Sequence, residues 1–365
     1  MSITKDSVLK ALSKVNDPDL HKDLVSLKMV KEIEISGNDI KVNIQLTTPA
    51  CPLKDKIKDD CVTAIKSEIP EANKISVNMD AKVVSNNNIP DRSILPGVKN
   101  TIAVASGKGG VGKSTVAVNL AVALAKQGAK VGLIDADIYG PSIPLMLGLT
   151  EKPQIFQDPN SEKMLPLESY GVKLMSIGFL IEDDSPVIWR GPMASGAIKQ
   201  FMTDVNWGEL DYLFFDMPPG TGDIQLTLVQ TIPLTGSVIV TTPQEVSLID
   251  AKKGLKMFSR VNVPVFGIIE NMSYFIAPDT GNRYEIFGSG GGEKLALELE
   301  TKFLGGIPID PRIRVGGDKG KPIVFDIPES EEAKIITGIA QNLAAQISIN
   351  NQVSLSANIE IDLGN

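Results

Sequence analysis

The residues Gly107-Lys108-Gly109-Gly110-Val111-Gly112-Lys113-Ser114-Thr115 have the types and spacing of a phosphate-binding loop. Gly107 and Gly112 bracket four residues, and Lys113 and Ser114 follow. Glycines let the backbone curl so that several N–H groups converge on one anion. The positive end of a following helix adds to that attraction. Lys113 is placed to reach the β- and γ-phosphates of a nucleotide, and the Ser114 hydroxyl to ligate Mg²⁺. The expected nucleotide contacts are therefore Gly107, Gly109, Gly110, Val111, Gly112, Lys113, Ser114 and Thr115.

Carboxylates supply the rest of the chemistry. Asp216 ends the apolar run Leu213-Phe214-Phe215, where a Mg²⁺-holding aspartate belongs. The turn Met217-Pro218-Pro219-Gly220-Thr221-Gly222-Asp223 comes next and suits sensing of a γ-phosphate. Asp135-Ala136-Asp137 follows another apolar run, with Asp137 placed to orient an attacking or metal-bound water. Single acidic residues at strand ends often serve only as helix caps. Three of them in register with a phosphate loop exceed what capping requires.

These side chains need elements to hold them. Thr101 to Ala105 reads as a buried strand, and Val116 to Gln127 as a helix closed by Gly128. Strands are expected at Lys130 to Asp135, Leu210 to Asp216, Ser237 to Thr242 and Pro264 to Glu270, with a short one around Phe303 to Ile307. Strands alternating with helices predict an α/β fold: a doubly wound, mostly parallel sheet of the P-loop NTPase type over 99–347.

A small α/β domain is expected over 1–80, with a linker over 81–98 and a flexible tail over 348–365. Val8, Leu9, Leu12 and Val15 sit at helical spacing. Met29 to Ile35 and Ile40 to Leu46 read as strands joined by a turn at Ser36-Gly37-Asn38-Asp39. A helix is expected from Pro52 to Ile69, then a strand from Lys74 to Met79. Proline favours the first helical position, which puts Cys51 at about the N-cap, where the helix dipole would lower its thiol pKa. Cys51 then reads either as a metal or cluster ligand or reactive thiol, or as a small residue at a crowded cap. Cys61 reads as packing and His21 as a surface residue.

The chain has 365 residues, a net charge of −8 and a pI of about 5.0. That balance argues against a broad nucleic-acid surface. No run approaches a membrane span, the N-terminus lacks a signal-peptide core, and two cysteines cannot build a disulfide framework. The expectation is a cytoplasmic protein with no nucleic-acid or membrane partner.

Taken together, these residues resemble the Mrp/ApbC family of iron–sulfur cluster carrier ATPases. That family lies in the deviant Walker A group with the MinD, ParA and nitrogenase iron-protein types. The resemblance covers nearly the whole chain. It implies that Lys108 crosses a homodimer interface to the partner's nucleotide, joining Lys113 and Asp137 in catalysis. Asp135 to Ser142 is similar to the family's switch I, and Asp216 to Asp223 to its Walker B and switch II segment. Glu270-Asn271-Met272-Ser273 resembles the segment whose asparagine contacts adenine, and Pro308 lies in the expected second wall of the base site. Trp189-Arg190-Gly191-Pro192-Met193 is a further family signature without an assigned chemical role. The N-terminal domain is similar to SufT/PaaD-type assembly domains, including Thr48-Pro49-Ala50-Cys51-Pro52.

The sequence departs from that family at one point. Ala277 and Thr280 stand where the family carries a C-x-x-C whose thiolates bridge a cluster across the dimer. Two readings follow. One is an ATP- and Mg²⁺-dependent ATPase of iron–sulfur assembly or delivery, with scaffold or apo-client proteins as partners and Cys51 as the available cluster contact. The other is an ATP-gated adaptor that carries no cluster.

Overall fold

The structure, a computed structural model, describes residues 3–85, 92–158, 161–180 and 191–362, with the side chains of 92, 155–158, 161–162 and 355–362 left aside. Residues 1–84 and 344–365 form one compact unit, and residues 85–343 form another.

In the first unit, helix α1 (Lys5–Leu12) opens with a capping box between Thr4 and Ser7. Its buried Val8, Ala11 and Leu12 follow the helical repeat. Strands β1 (Val30–Ser36) and β2 (Asp39–Leu46) form an antiparallel hairpin that pairs Ser36 with Asp39. Gly37 takes φ +61° in its turn, a conformation glycine adopts without strain. Helix α2 (Lys54–Glu68) crosses to β3 (Ile75–Ala81), which pairs with β2 in parallel. Ile40, Val42, Ile44 and Leu46 alternate inward along β2, giving the sheet one buried face. Cys61 is fully buried in α2, and His21 is exposed.

Two sequence expectations change here. Helix α2 starts at Lys54 with Leu53 as its cap, so Cys51 is not the N-cap and Pro52 is not the first helical residue. The Cys51 carbonyl accepts a 3.4 Å hydrogen bond from the Lys54 N–H, so Pro52 sits inside a turn, another site that suits its fixed φ. Strand β3 ends at Ala81, and the two units divide between Val84 and Ser85, inside the stretch expected to link them. Finally, 348–365 was expected to be a flexible tail, yet one helix runs Glu331–Asp362. Ala344, Ile347, Ser348 and Asn351 are buried along it at helical spacing. Residues 363–365 lie outside the described residues.

The second unit holds an eight-stranded sheet. Its members are β4 (Val98–Ala105), β5 (Val131–Asp135), β6 (Leu167–Ser169), β7 (Val172–Ser176), β8 (Leu210–Asp216), β9 (Gly236–Thr241), β10 (Val265–Glu270) and β11 (Phe303–Gly306). Their spatial order is β6-β7-β5-β8-β4-β9-β10-β11. All neighbours pair in parallel except the edge pair β6–β7. The central strands are buried throughout, as expected where helices cover both faces.

Helix α3 (Lys113–Lys126) follows β4, α4 (Gly191–Thr203) precedes β8, and α5 (Asp223–Thr231) follows it. Helices α6 (Glu245–Arg260), α7 (Gly291–Glu298) and α8 (Pro311–Asp318) follow, and a single helical turn at Ile323–Asp326 precedes α9 (Glu331–Asp362). The chain order β4-α3-β5 reverses direction across the sheet relative to β9 and β10, so the loop after β4 lies at the switch point where such folds bind ligands.

Candidate functional site

The site grows from three neighbouring strand ends. Ser176, Asp135 and Asp216 are register partners at the C-terminal ends of β7, β5 and β8. The phosphate loop leaves β4 beside them and enters α3 at Lys113. Its glycines have steric reasons. A Cβ on Gly107 would sit 2.1 Å from the Asp250 backbone, so α6 packs where no side chain fits. Gly112 has φ +79°, and a Cβ there would meet the Asn271 amide at 2.3 Å. Gly109 and Gly110 face nearly open space, the cradle an anion would enter. Val111 is buried, and Thr115 is half-buried in the first turn of α3.

Lys113 lies at the centre, 6% exposed. Its Nζ is 2.8 Å from Asp216 Oδ1 and 3.3 Å from Asp137 Oδ2. Ser114 Oγ donates to Asp216 Oδ2 at 2.5 Å. Burial alone would lower the Lys113 pKa, but the carboxylates of Asp216 and Asp137 outweigh it and raise it, so the ammonium persists. Burial raises Asp216 against the opposing pull of Lys113. Asp135 is pushed up to about 8, first by burial and then by the Asp216 charge. One ammonium among three carboxylates leaves surplus negative charge in a buried site, which holds the carboxyls of Asp135 and Asp216 above the usual carboxylate range. Ser114 and Asp216 present the hard oxygen donors that Mg²⁺ takes, so the pair fits that ion.

Asp137 is held by its loop. Its Oδ1 accepts the Tyr139 N–H at 3.2 Å, while Oδ2 faces Lys113. The structure thus brings Lys113, Ser114, Asp137 and Asp216 into one cluster. Lys108 stands apart from it: its Nζ is 3.4 Å from Gln244 Oε1 at the start of α6.

Asn271 Nδ2 donates to the Val111 carbonyl at 2.8 Å, tying the end of β10 to the phosphate loop. Pro308 is buried beside it, because Ile307 N–H donates to the Glu270 carbonyl and Ser273 N–H to the Ile307 carbonyl. The sequence reading passed over Glu270. Its carboxylate accepts the Ser273 hydroxyl and the Gly292 N–H, each at 2.6 Å, and so closes the base of segment 271–292. That segment carries a small hairpin pairing Phe275 with Tyr284 and Ile276 with Arg283. Ala277 is buried where the first strand enters the turn, Thr280 is exposed in that turn, and the Arg283 guanidinium lies 4.0 Å over the Tyr274 ring. Of Trp189 to Met193, only Gly191, Pro192 and Met193 are described, in the first turn of α4.

Cys51 lies in the first unit, apart from this cluster, and its environment differs from the one expected. Its thiol is pushed up to about 11, first by burial, with the carboxylates of Asp17 and Asp19 adding to the effect. The Leu53 N–H pulls the other way but is outweighed. The expected lowering by a helix dipole does not occur, since the helix begins beyond it. Both cysteines are free, and no group of three or more His, Cys, Asp or Glu among the described residues could hold a metal. No helix among the described residues is long and apolar enough to cross a membrane.

Comparison with known proteins shows which family the chain belongs to. Residues 97–344 match the family model described as NUBPL iron-transfer P-loop NTPase, and residues 5–79 match one described as iron-sulfur cluster assembly protein. A Synechocystis protein named iron-sulfur cluster carrier protein is 54% identical over 95% of this chain and 99% of its own length. The Escherichia coli K12 protein of the same name is 46% identical over 93% of this chain and 91% of its own length. A solved nucleotide-binding protein from Archaeoglobus fulgidus, in complex with ADP and with cobalt found, is 40% identical with a TM-score of 0.56. The match to it covers 66% of this chain and 97% of that one. With its lysine, serine and strand-end aspartates gathered around one loop, and with matches spanning both units, the chain belongs to the iron-transfer P-loop NTPase family.

Proposed function

We propose that this protein is a dimeric, ATP-hydrolysing member of its family that acts in iron–sulfur cluster delivery. The observation that carries the reading is the buried cluster of Lys113, Ser114, Asp137 and Asp216 beside the phosphate loop. In the reaction, water attacks the γ-phosphorus, the bond to the β–γ bridging oxygen breaks, and ADP and phosphate leave. The Lys113 ammonium turns from its carboxylates to the β- and γ-phosphates. Ser114 and Asp216 would hold Mg²⁺, which would neutralise charge developing on the phosphate oxygens. Asp137 orients the attacking water, and the backbone N–H groups of 107–115 cradle the phosphates. Asn271 and Pro308 border the base. Lys108 is the group offered across the dimer, and turnover is slow until the partner supplies it. The two free cysteines fit a reducing cytoplasm.

Cluster transfer is the cargo side of this reading. The chain carries no thiol at Ala277 or Thr280, so Cys51 and a client protein supply the sulfur ligands. A second reading is an ATP-gated adaptor without a cluster. The high pKa of Cys51 and the thiol-free hairpin favour it. Two measurements test these readings. Lys113→Ala is expected to lower ATP hydrolysis by at least about 100-fold; unchanged turnover rejects the ATPase. Anaerobic reconstitution, with iron and sulfide counted per dimer, is then run on wild type and Cys51→Ala. Iron held by wild type and lost in the variant supports delivery through the N-terminal unit. Iron absent from both supports the adaptor.

A further inference from the structure

We propose that Ser176 is a positioning residue for ATP hydrolysis, acting on Asp137 through the buried carboxylate of Asp135; this rests on the ATPase reading above. Ser176 ends β7 in register with Asp135 and is fully buried. Its hydroxyl oxygen accepts the Gly178 N–H at 3.0 Å. The hydroxyl hydrogen is therefore directed the other way, to Asp135 Oδ2 at 2.9 Å.

Asp135 in turn holds the following loop at two points. Its Oδ1 accepts the Asp137 N–H and its Oδ2 the Ile143 N–H, both at 3.3 Å. Hydrogen bonds of that length lie at the outer edge of the useful range. A small rotation of the carboxylate loses one of them. The shorter Ser176 bond sets that rotation. Between the two amides runs Ile138 to Ser142, and this path decides where Asp137 points. Asp137 then keeps one oxygen on Tyr139 N–H and the other toward Lys113. The same turn touches the loop from a second side, since a Cβ on Gly178 would meet Pro141 at 3.2 Å. Ser176 makes no contact with Lys113, Ser114 or Asp216 among its hydrogen bonds, so its influence on the reaction passes through the loop.

The test compares wild type with Ser176→Ala and Ser176→Thr. Ser176→Ala is expected to lower kcat about tenfold, with KM for ATP held within about twofold, because a misplaced Asp137 affects the reacting water more than phosphate binding. Ser176→Thr keeps the hydroxyl and is expected to recover most of that loss. Amide exchange, measured without nucleotide, is expected to quicken at 137–143 in Ser176→Ala while 113–126 stays as in wild type. An active wild type with an equally active Ser176→Ala overturns the proposal alone. So does faster exchange across the whole sheet with kcat and KM changed together, which marks a merely structural role. A wild type that hydrolyses no ATP overturns the ATPase reading and the proposal with it.

Discussion

At the scale of single residues, burial without a partner makes the sharpest forecasts. Gln225 lies in the first turn of α5, 2% exposed, and neither atom of its amide has a hydrogen-bond partner among the described residues. Leaving a buried polar group unpaired costs about 1–3 kcal/mol. Gln225→Leu keeps much of the volume and removes the amide. The nucleotide-free protein is therefore expected to melt about 2–4 °C higher, read by calorimetry. A lower Tm would show that the amide is satisfied in solution. Cys51 gives a forecast in pH. Its pKa of about 11 leaves a thiolate fraction on the order of one in a thousand at pH 8. Iodoacetamide labelling of Cys51, followed by peptide mapping, should be slow at pH 8 and rise about tenfold per pH unit toward pH 10. Labelling at pH 8 as fast as that of free cysteine would contradict the buried, carboxylate-flanked environment. Cys61, fully enclosed in α2, serves as the unlabelled internal control.

At the scale of elements, the phosphate loop separates glycines that pack from glycines that leave room. Gly107→Ala forces a Cβ into the Asp250 backbone, so the loop or α6 must move. It is expected to lower the melting temperature and abolish nucleotide binding, both measured by a thermal-shift titration with ADP. Gly109→Ala meets only Pro219 at 3.9 Å and is expected to fold as wild type. Equal Tm values for the two variants would refute this account of packing. The loop, its strand and its helix were legible in the sequence because glycine spacing, apolar runs and helix formers all pointed the same way. Asp135 and Asp216 were legible for the same reason, each closing an apolar strand. Strand β7 was not. Val172 to Ser176 is short and follows a stretch without clear periodicity, so Ser176 went unnoticed although Tyr170-Gly171 marks a turn before it. Cys51 was misplaced because Pro52 satisfies two local roles equally, the first helical residue and a turn position, and only the chain beyond it decides. The end of the chain was misread because its buried helical stripe includes polar Ser348 and Asn351, which hide the apolar pattern.

At the scale of the whole molecule, that last helix changes what the N-terminal unit consists of. Residues 344–365 cluster with 1–84, so this unit is assembled from both ends of the chain. Asn351 Nδ2 donates to the Val84 carbonyl at 2.9 Å, and Ser348 and Ile349 line a small cavity with Asp17, Thr48 and Cys51. Ending the chain at Leu343 removes the buried Ala344 and Ile347 along with these contacts. The lost apolar burial alone is worth about 2–4 kcal/mol to a small unit. The truncated protein is therefore expected to show a lower-temperature transition for residues 1–84, visible by calorimetry. Water then reaches Cys51 more freely, which relieves the burial that lifts its pKa. Labelling at pH 8 should quicken about tenfold or more. ADP affinity is expected to stay within about twofold, since Lys113, Ser114, Asp137 and Asp216 all lie within 85–343. A truncated chain with unchanged melting and unchanged Cys51 labelling would mean that the first 84 residues are stable without the terminal helix. Fast labelling with intact nucleotide binding would mean that the terminal helix governs access to the one thiol the cargo reading depends on.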